Sequence, residues 1–168
     1  VRDLSGGDRR SIGNANAVVR DVLRDPELFA AVVEGLSNND ALVRMRCADV
    51  VEKVSRAHPE WLRPYKKRLL GIAASACEQE LRWHLAQLMP RLDLDKTERR
   101  RMEAILLTYL SDKSRIVRTF AMQALADLAI GDPALLRRVS PLIDRLSRTG
   151  SPAVRARARK LIGAIKPS

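Results

Sequence analysis

Four arginine residues recur along the chain at nearly even spacing. Arg44, Arg82, Arg118 and Arg155 are separated by 38, 36 and 37 residues. A guanidinium group binds carboxylates and phosphates through paired, charge-assisted hydrogen bonds. The four groups can therefore form a track that meets the phosphates of a nucleic acid or an acidic peptide. Alternatively, they form a structural ladder that bonds turn carbonyls and acidic residues such as Asp40, Glu78 or Asp112.

Side chains that commonly carry out catalysis are not arranged for it. His58 and His84 are far apart in sequence, and Gly6-Gly7 is too short for a phosphate-binding loop. No motif places a nucleophilic serine, and neither a His-Glu-x-x-His motif nor a cysteine, histidine or carboxylate cluster indicates a metal site. The sequence therefore predicts a protein that is not an enzyme and that needs no metal or cofactor.

The arginines belong to a longer repeated pattern. Each follows an aliphatic residue, and from that residue apolar side chains recur at offsets 0, 4, 7, 8 and 11, which trace one stripe along a helix. A second amphipathic stretch precedes each of these helices, over residues 28–36, 61–73, 102–110 and 135–146. Polar turn residues join the two stretches. The sequence thus predicts an all-α chain built of helical hairpins.

This pattern resembles the HEAT-repeat family in three respects. The aliphatic-Arg-x-x-small element in the second helix, the preceding Asp or Asn turn and the period near 37 residues all match. The resemblance implies a single domain over residues 1–168, folded as a right-handed α-solenoid of about four hairpins. We place the repeats at 26–56, 59–93, 95–130 and 132–166. Residues 8–24 are predicted to form a capping half-repeat helix that points Ile12, Ala15, Val19, Val22 and Leu23 inward.

In a HEAT-like solenoid the second helices line the concave surface. At about 100° per residue, Met45, Trp83, Thr119 and Ala156 should point away from the core. Trp83 has the amphipathic character of an interface anchor, although it can instead pack against neighbouring second helices. The predicted partner-binding residues are Met45, Arg82, Trp83, His84, Gln87, Phe120 and Gln123, and the positions expected to face outward one turn further on include Asp49.

The charge of the chain is concentrated at its C-terminal end. The net charge is +11, and residues 131–168 hold nine Lys or Arg against two Asp or Glu. Such a basic end can bind an acidic partner, or it can be the polar outer face that a terminal repeat needs for solubility. Together with the evenly spaced arginines, the candidate anion-binding or nucleic-acid-binding residues are Arg44, Arg118, Arg155, Arg157, Arg159 and Lys160.

Three functions follow as expectations. The first is a non-catalytic scaffold that binds a segment of a partner protein on its concave face. The second is nucleic-acid binding through the basic end and the arginines. The third is implied by the resemblance alone: one HEAT-like branch contains DNA-repair glycosylases, whose aromatic and carboxylate roles would fall to Trp83 and to Asp49 or Glu52. No apolar run is long enough for a membrane span, so we expect a cytoplasmic protein.

Overall fold

The computed structural model describes Leu4 and residues 14–165, and this part of the chain is all-α. Nine α-helices occur within it, and two 3₁₀ segments, Pro59–Tyr65 and Met89–Arg91, adjoin helices of the second repeat. The α-helices are α1 Ala15–Arg24, α2 Leu28–Gly35, α3 Ala41–Ala57, α4 Lys66–Ser75, α5 Gln79–Leu88, α6 Lys96–Tyr109, α7 Arg115–Ala129, α8 Pro133–Thr149 and α9 Pro152–Ile165.

The helices form two layers. In one layer α1, α3, α5, α7 and α9 lie side by side, each packed against the next. The other layer contains α2, α4, α6 and α8, where α4 packs against α6 and each helix pairs with a member of the first layer. We call the layer of odd-numbered helices the second-helix layer, because α3, α5, α7 and α9 are the predicted second helices.

The predicted apolar stripe is the core that joins the layers. The aliphatic residue before each repeated arginine is at most 4% exposed, and the residues at offsets 4, 7, 8 and 11 are buried throughout α3, the α5 region and α7. Packing between neighbouring hairpins removes these apolar side chains from water, because a single hairpin is too small to bury its own apolar face. The all-α repeat prediction is confirmed.

Aspartate side chains cap the starts of three helices. The Asp95 side chain accepts hydrogen bonds from the Thr97 and Glu98 backbone N–H groups at 2.8 Å, and Glu98 returns a bond to the Asp95 N–H. This capping box satisfies N–H groups that have no partner within the first turn. Asp40 caps α3 and Asp132 caps α8 in the same manner.

Prolines divide the helices of the second repeat. Pro59 and Pro64 lie in the 3₁₀ segment before α4, so the first helix, predicted from Trp61, becomes α-helical only at Lys66. Pro90 lies in the 3₁₀ segment that follows α5, which therefore ends at Leu88. Proline lacks the N–H group for a helical hydrogen bond and disfavours α geometry in the residue before it.

The predicted N-terminal helix is α1, with a different inward face. Residues 8–13, including Ile12, lie outside the described residues. Ala15, Val18 and Val22 are buried, whereas Leu23 is 41% exposed. The prediction that Leu23 points inward is wrong, because the buried stripe of α1 follows the spacing 15, 18 and 22 and leaves Leu23 beside it.

Candidate functional site

An open groove of about 780 Å³ separates α5 from α7 on the second-helix layer. Trp83 contributes the α5 side, and Ile116, Thr119 and Phe120 contribute the α7 side. Trp83 and Phe120 are each half-buried against the core while also lining the groove. The groove is completed by Gln79, Lys113, Ser114, Arg115 and Ala153. Both interpretations of Trp83 thus describe part of its environment.

The groove lining is apolar at its base and cationic at its rim. Ile116 is a large aliphatic residue in the first turn of α7 and is 42% exposed. Lys113 and Arg115 are exposed beside it. The nine lining residues include these two cations and no carboxylate. Such a surface favours a ligand that carries both apolar and acidic groups.

A second, smaller depression continues along the same face. It has a volume of about 170 Å³ and shares Phe120 with the larger groove. Its wall includes Gln87 and Gln123, and its charges are balanced, since Arg56 and Arg91 both bond Glu52. Gln123 donates to Asp127 at 2.7 Å, and Gln87 donates to the Trp83 carbonyl at 3.4 Å. Gln87 and Gln123 therefore lie at the end of this face where positive and negative side chains balance.

The position equivalent to the large groove in the preceding repeat is almost closed. Between α3 and α5 the space is only about 20 Å³, lined by Ala41, Leu42, Met45, Glu78 and Glu80. By repeat alignment Met45 corresponds to Trp83, Glu78 to Ser114 and Glu80 to Ile116. Two acidic residues thus stand where the larger groove has a serine and an isoleucine.

Two of the repeated arginines form the structural ladder. The Arg44 guanidinium donates to the carbonyls of Asn38 and Asn39 and forms an ion pair with Glu78 of the next turn. The Arg82 guanidinium donates to the Ala76 carbonyl at 2.7 Å and forms an ion pair with Asp112. The hydrogen bond from Arg44 lowers the pKa of Glu78. Each arginine therefore joins its own turn to the turn of the next repeat.

The other two arginines do not form this ladder. Within residues 14–165 the guanidinium groups of Arg118 and Arg155 have no hydrogen-bond or ion-pair partner, and in both the Nε atom is shielded from solvent. The turn that should supply a carboxylate to Arg118 reads Thr149-Gly150-Ser151-Pro152 and contains no acid. The ladder thus ends halfway along the stack.

Three predicted partner-binding residues point elsewhere than into the groove. Arg82 is held by the ladder and lies 5.4 Å above the Tyr109 ring. The His84 Nδ1 atom is buried without a partner, and burial lowers the pKa of His84 to about 4. Met45 lines only the small space between α3 and α5.

The carboxylates assigned to the glycosylase reading are both buried. Asp49 was expected to face outward but is only 7% exposed, because α1 covers that flank of α3, and Lys53 from the next turn donates to it at 2.7 Å. Glu52 is 1% exposed and bonds Arg56 and Arg91. The placement of Asp49 corrects the sequence prediction, and neither residue presents a free carboxylate to the groove.

The cations of α9 do not share one face. Arg157 donates to the Gln123 side chain at 2.9 Å, so it is directed toward α7. At about 100° per residue, Arg155 and Arg159 lie on the opposite flank of α9. Arg159 and Lys160 are exposed, and Ala156, which was predicted to face outward, is exposed as well.

Other kinds of site are not indicated by the described residues. Among them, no group of three or more His, Cys, Asp or Glu side chains is placed to hold a metal ion. In the same part of the chain, no helix has the length and apolar character needed to cross a membrane. Cys47 and Cys77 are free thiols, and burial raises the pKa of Cys47 to about 11.

Six residues that line the groove were not predicted from the sequence. They are Gln79, Lys113, Ser114, Arg115, Ile116 and Ala153, which lie outside the positions directly opposite the core stripe. One signal was present: Ile116 immediately precedes the aligned Val117 and therefore falls outside the apolar stripe. A large aliphatic residue off the stripe of an amphipathic helix indicates either a neighbouring element or a binding surface.

Comparison with solved structures places the fold among armadillo-like repeat solenoids. The chain is similar to a designed armadillo repeat protein in complex with the peptide (KR)4, with a TM-score of 0.64, 14% identity, and coverage of 92% of this chain and 72% of that one. It is also similar to computationally designed armadillo repeat proteins for modular peptide recognition, with a TM-score of 0.64, 14% identity, and coverage of 99% and 80%. Comparison with protein-family models and with curated proteins gives no match to this sequence.

Proposed function

We propose that the chain is a non-catalytic scaffold that binds a peptide segment of a partner protein in the groove between α5 and α7. The observation that carries the proposal is the half-exposed Trp83 facing Ile116 and Phe120 across a groove of about 780 Å³. Large aromatic side chains at the centre of a surface groove are the residues that most often dominate binding energy.

The fold supports this assignment. Parallel second helices present rows of side chains at a regular spacing, so an extended or helical segment can contact several repeats at once. The two designed proteins described above share this architecture, and their titles describe a peptide complex and peptide recognition. In this proposal the repeats are HEAT-like and the protein is cytoplasmic, as expected from the sequence.

The test is selection of a displayed library of random twelve-residue peptides on the wild-type protein and on Trp83→Ala. We expect enriched peptides whose binding weakens by roughly 30-fold in the variant, since a tryptophan hot spot contributes about 2 kcal/mol. Trp61→Ala is the matched control. Trp61 is also half-buried, but it stacks on His58 and contacts Phe29 of α2. Equal binding by the wild type and Trp83→Ala would refute the proposal.

Nucleic-acid binding is the second candidate function. The observation in its favour is the exposed basic surface of the last repeat, where Arg159 and Lys160 join the exposed Arg145 and Arg148. Binding through phosphates weakens steeply as salt concentration rises. Fluorescence polarisation of a labelled DNA duplex and single strand over a salt series, with Arg155, Arg157 and Arg159 changed to Ala, decides this candidate. Absence of binding at low salt removes it.

A further inference from the structure

We infer that the outward faces of α4, α6 and α8 bind the phosphate backbone of a double-helical nucleic acid. These outward faces, which we call the first-helix face, lie on the side of the stack opposite to the peptide groove. The inference goes beyond the proposed function, and it differs from the second candidate function in its surface, which does not include α9. Its starting point is charge, since the three helices hold eleven Lys or Arg against three Asp or Glu.

The repeat places a pair of adjacent cations at one position in each of these helices. Each pair comes directly before a core residue, Leu69, Met102 or Val139, that is at most 1% exposed. At about 100° per residue, the two side chains of a pair therefore lie on either side of the direction that points away from the core. All six cations are exposed, and they are Lys67 with Arg68, Arg100 with Arg101, and Arg137 with Arg138. The equivalent position of α2 holds Ala30 and Ala31, so the basic surface begins at α4.

Ion pairs between the helices keep the three pairs of cations side by side. Lys66, directly before the pair in α4, bonds the Glu98 carboxylate of α6 at 2.6 Å. Arg99, directly before the pair in α6, bonds Asp132 at the start of α8 at 3.3 Å. The same ends of neighbouring helices are thus joined next to the exposed cations. With neighbouring helices about 10 Å apart, the three pairs extend over roughly 20 Å.

The exposed cations are not neutralised within the stack. Four of the six form no hydrogen bond or ion pair within the described residues: Lys67, Arg100, Arg101 and Arg137. Each carboxylate of the three helices is already bound by a cation: Glu98 by Lys66, Glu103 by Arg138 and Asp144 by Arg148. Asp95 lies near Lys67, but its carboxylate caps α6. A row of unpaired positive charge across three helices therefore faces solvent.

The composition of the first-helix face favours a duplex backbone over other anionic partners. Each strand of a duplex carries one charge per about 3.4 Å, so roughly 20 Å of this face meets about six phosphates of one strand. None of the exposed large hydrophobic residues of the described chain lies in α4, α6 or α8, so the face offers no hot spot for a protein and no apolar group for a lipid bilayer. Tyr109, the one aromatic residue of these helices, is 3% exposed and cannot stack on the bases of a single strand. Backbone charge is therefore the feature of a partner that this face can recognise.

The experiment is fluorescence polarisation of a labelled DNA duplex over a salt series, with the wild type and a first-helix variant that combines Lys67→Gln, Arg100→Gln and Arg137→Gln. We expect the variant to bind at least tenfold more weakly at low salt. The slope of log affinity against log salt should become shallower by about three, since each phosphate contact contributes about 0.9. The three replaced side chains form no hydrogen bond or ion pair within the described residues, so the variant should unfold at the wild-type urea concentration. Equal duplex binding by both proteins, or no binding by the wild type at low salt, would overturn the inference.

Two control variants locate the binding surface. Arg155→Gln with Arg157→Gln and Arg159→Gln removes the same number of charges from α9, and a larger loss of duplex binding here than in the first-helix variant would assign the duplex to α9 and overturn the inference. Trp83→Ala should bind the duplex as the wild type does, and the first-helix variant should keep the Trp83-dependent peptides. Failure of the inference and failure of the proposed peptide groove are therefore distinguishable. Binding to vesicles of anionic phospholipid but not to the duplex would also overturn the inference, because the first-helix face would then bind a membrane.

Discussion

The junctions on the two sides of α5 have the same repeat positions and opposite character. Between α3 and α5, Met45, Glu78 and Glu80 enclose about 20 Å³, whereas between α5 and α7 the equivalent Trp83, Ser114 and Ile116 border about 780 Å³. The apolar stripe that builds the core is the same in both. The repeated stripe therefore determines how the helices stack, while the two junctions differ at the positions off the stripe.

The two junctions also differ in their charge networks. Arg44 and Glu78 join α3 to the start of α5, and Glu52 joins α3 to Arg91 just after α5. The second junction has the ion pair between Arg82 and Asp112 at one end. At the other end Gln87, Gln123 and Asp127 form no ion pair between α5 and α7 within the described residues. Ion pairs at both ends thus distinguish the closed junction from the open one.

The largest expected effect comes from removing the buried carboxylate of the closed junction. Glu52 is 1% exposed and receives hydrogen bonds from both Arg56 and Arg91. Burial by itself raises the pKa of Glu52, but these hydrogen bonds outweigh it, so the pKa is lowered and the group is ionised at neutral pH. Glu52→Gln removes the carboxylate that these two guanidinium groups share and leaves the partly buried Arg91 without an anion, so the free energy of unfolding should fall by about 2–3 kcal/mol, measured by urea denaturation.

The open junction supplies the control for this change. Asp127→Asn alters an exposed carboxylate on the wall of the same depression, whose partner is the neutral Gln123 side chain. It should change the free energy of unfolding by less than about 0.5 kcal/mol. Similar losses for the two variants would mean that the closed junction is not specially stabilised by its ion pairs.

The second prediction concerns acid sensitivity of the same junction. His84 faces α3, whereas its equivalent in the next repeat, Phe120, lines the open groove. Burial lowers the pKa of His84 from 6.5 to about 4, with the nearby charges of Asp49, Glu52, Lys53 and Arg56 acting more weakly. Between those two values the unfolded chain binds a proton that the folded chain does not, so the free energy of unfolding falls as the pH falls.

The size of this effect follows from linkage. Lowering the pH from 7 to 5 should reduce the free energy of unfolding by roughly 2 kcal/mol through His84 alone. His84→Gln removes the titrating group, so urea denaturation of this variant should show a correspondingly smaller loss between the two pH values. An unchanged pH dependence in the variant would show that His84 is not buried in its neutral form.

Much of the fold could be predicted from the sequence because it depends on short-range periodicity. The aliphatic residues at Val43, Leu81, Val117 and Val154 recur at one period, and each is buried as the helical stripe requires. Predictions failed where a neighbouring helix, rather than local pattern, decides exposure. Asp49 is buried near α1, since Lys53 donates both to it and to Asn16 of α1, and Leu23 stays exposed although α1 packs against α2 and α3.

The candidate site was less predictable because it depends on distances between repeats. Angular position on a helix selects Trp83 and Phe120, but it does not reveal that the α3 and α5 junction closes while the next one opens. The sequence left the structural ladder and the anion track as alternatives for all four arginines. The structure divides them, since carboxylates reach Arg44 and Arg82 and do not reach Arg118 and Arg155 within the described residues.

The smallest expected effect comes from exchanging the character of the two junctions. Ser114→Glu with Ile116→Glu gives the open groove the two acidic residues of the closed one, so the Trp83-dependent library peptides should bind about tenfold more weakly through loss of apolar contact with Ile116. Ser114 is the N-cap residue of α7 and makes no side-chain capping hydrogen bond, and Ile116 is exposed in the first turn, so acidic side chains at both positions interact favourably with the helix dipole. The variant should therefore unfold at nearly the wild-type urea concentration.

The reciprocal exchange separates charge from shape in this comparison. Glu80→Ile alone places the isoleucine of the open groove in the closed junction, where the ion pair between Arg44 and Glu78 remains. If closure depends on that ion pair, Glu80→Ile creates no second peptide site, and titration by fluorescence polarisation keeps the wild-type stoichiometry. Adding Glu78→Ser removes the carboxylate partner of Arg44, and only then should a second and weaker site for the same library peptides appear. A second site in Glu80→Ile itself would mean that the acidic side chain at position 80, rather than the ladder, keeps the first junction closed.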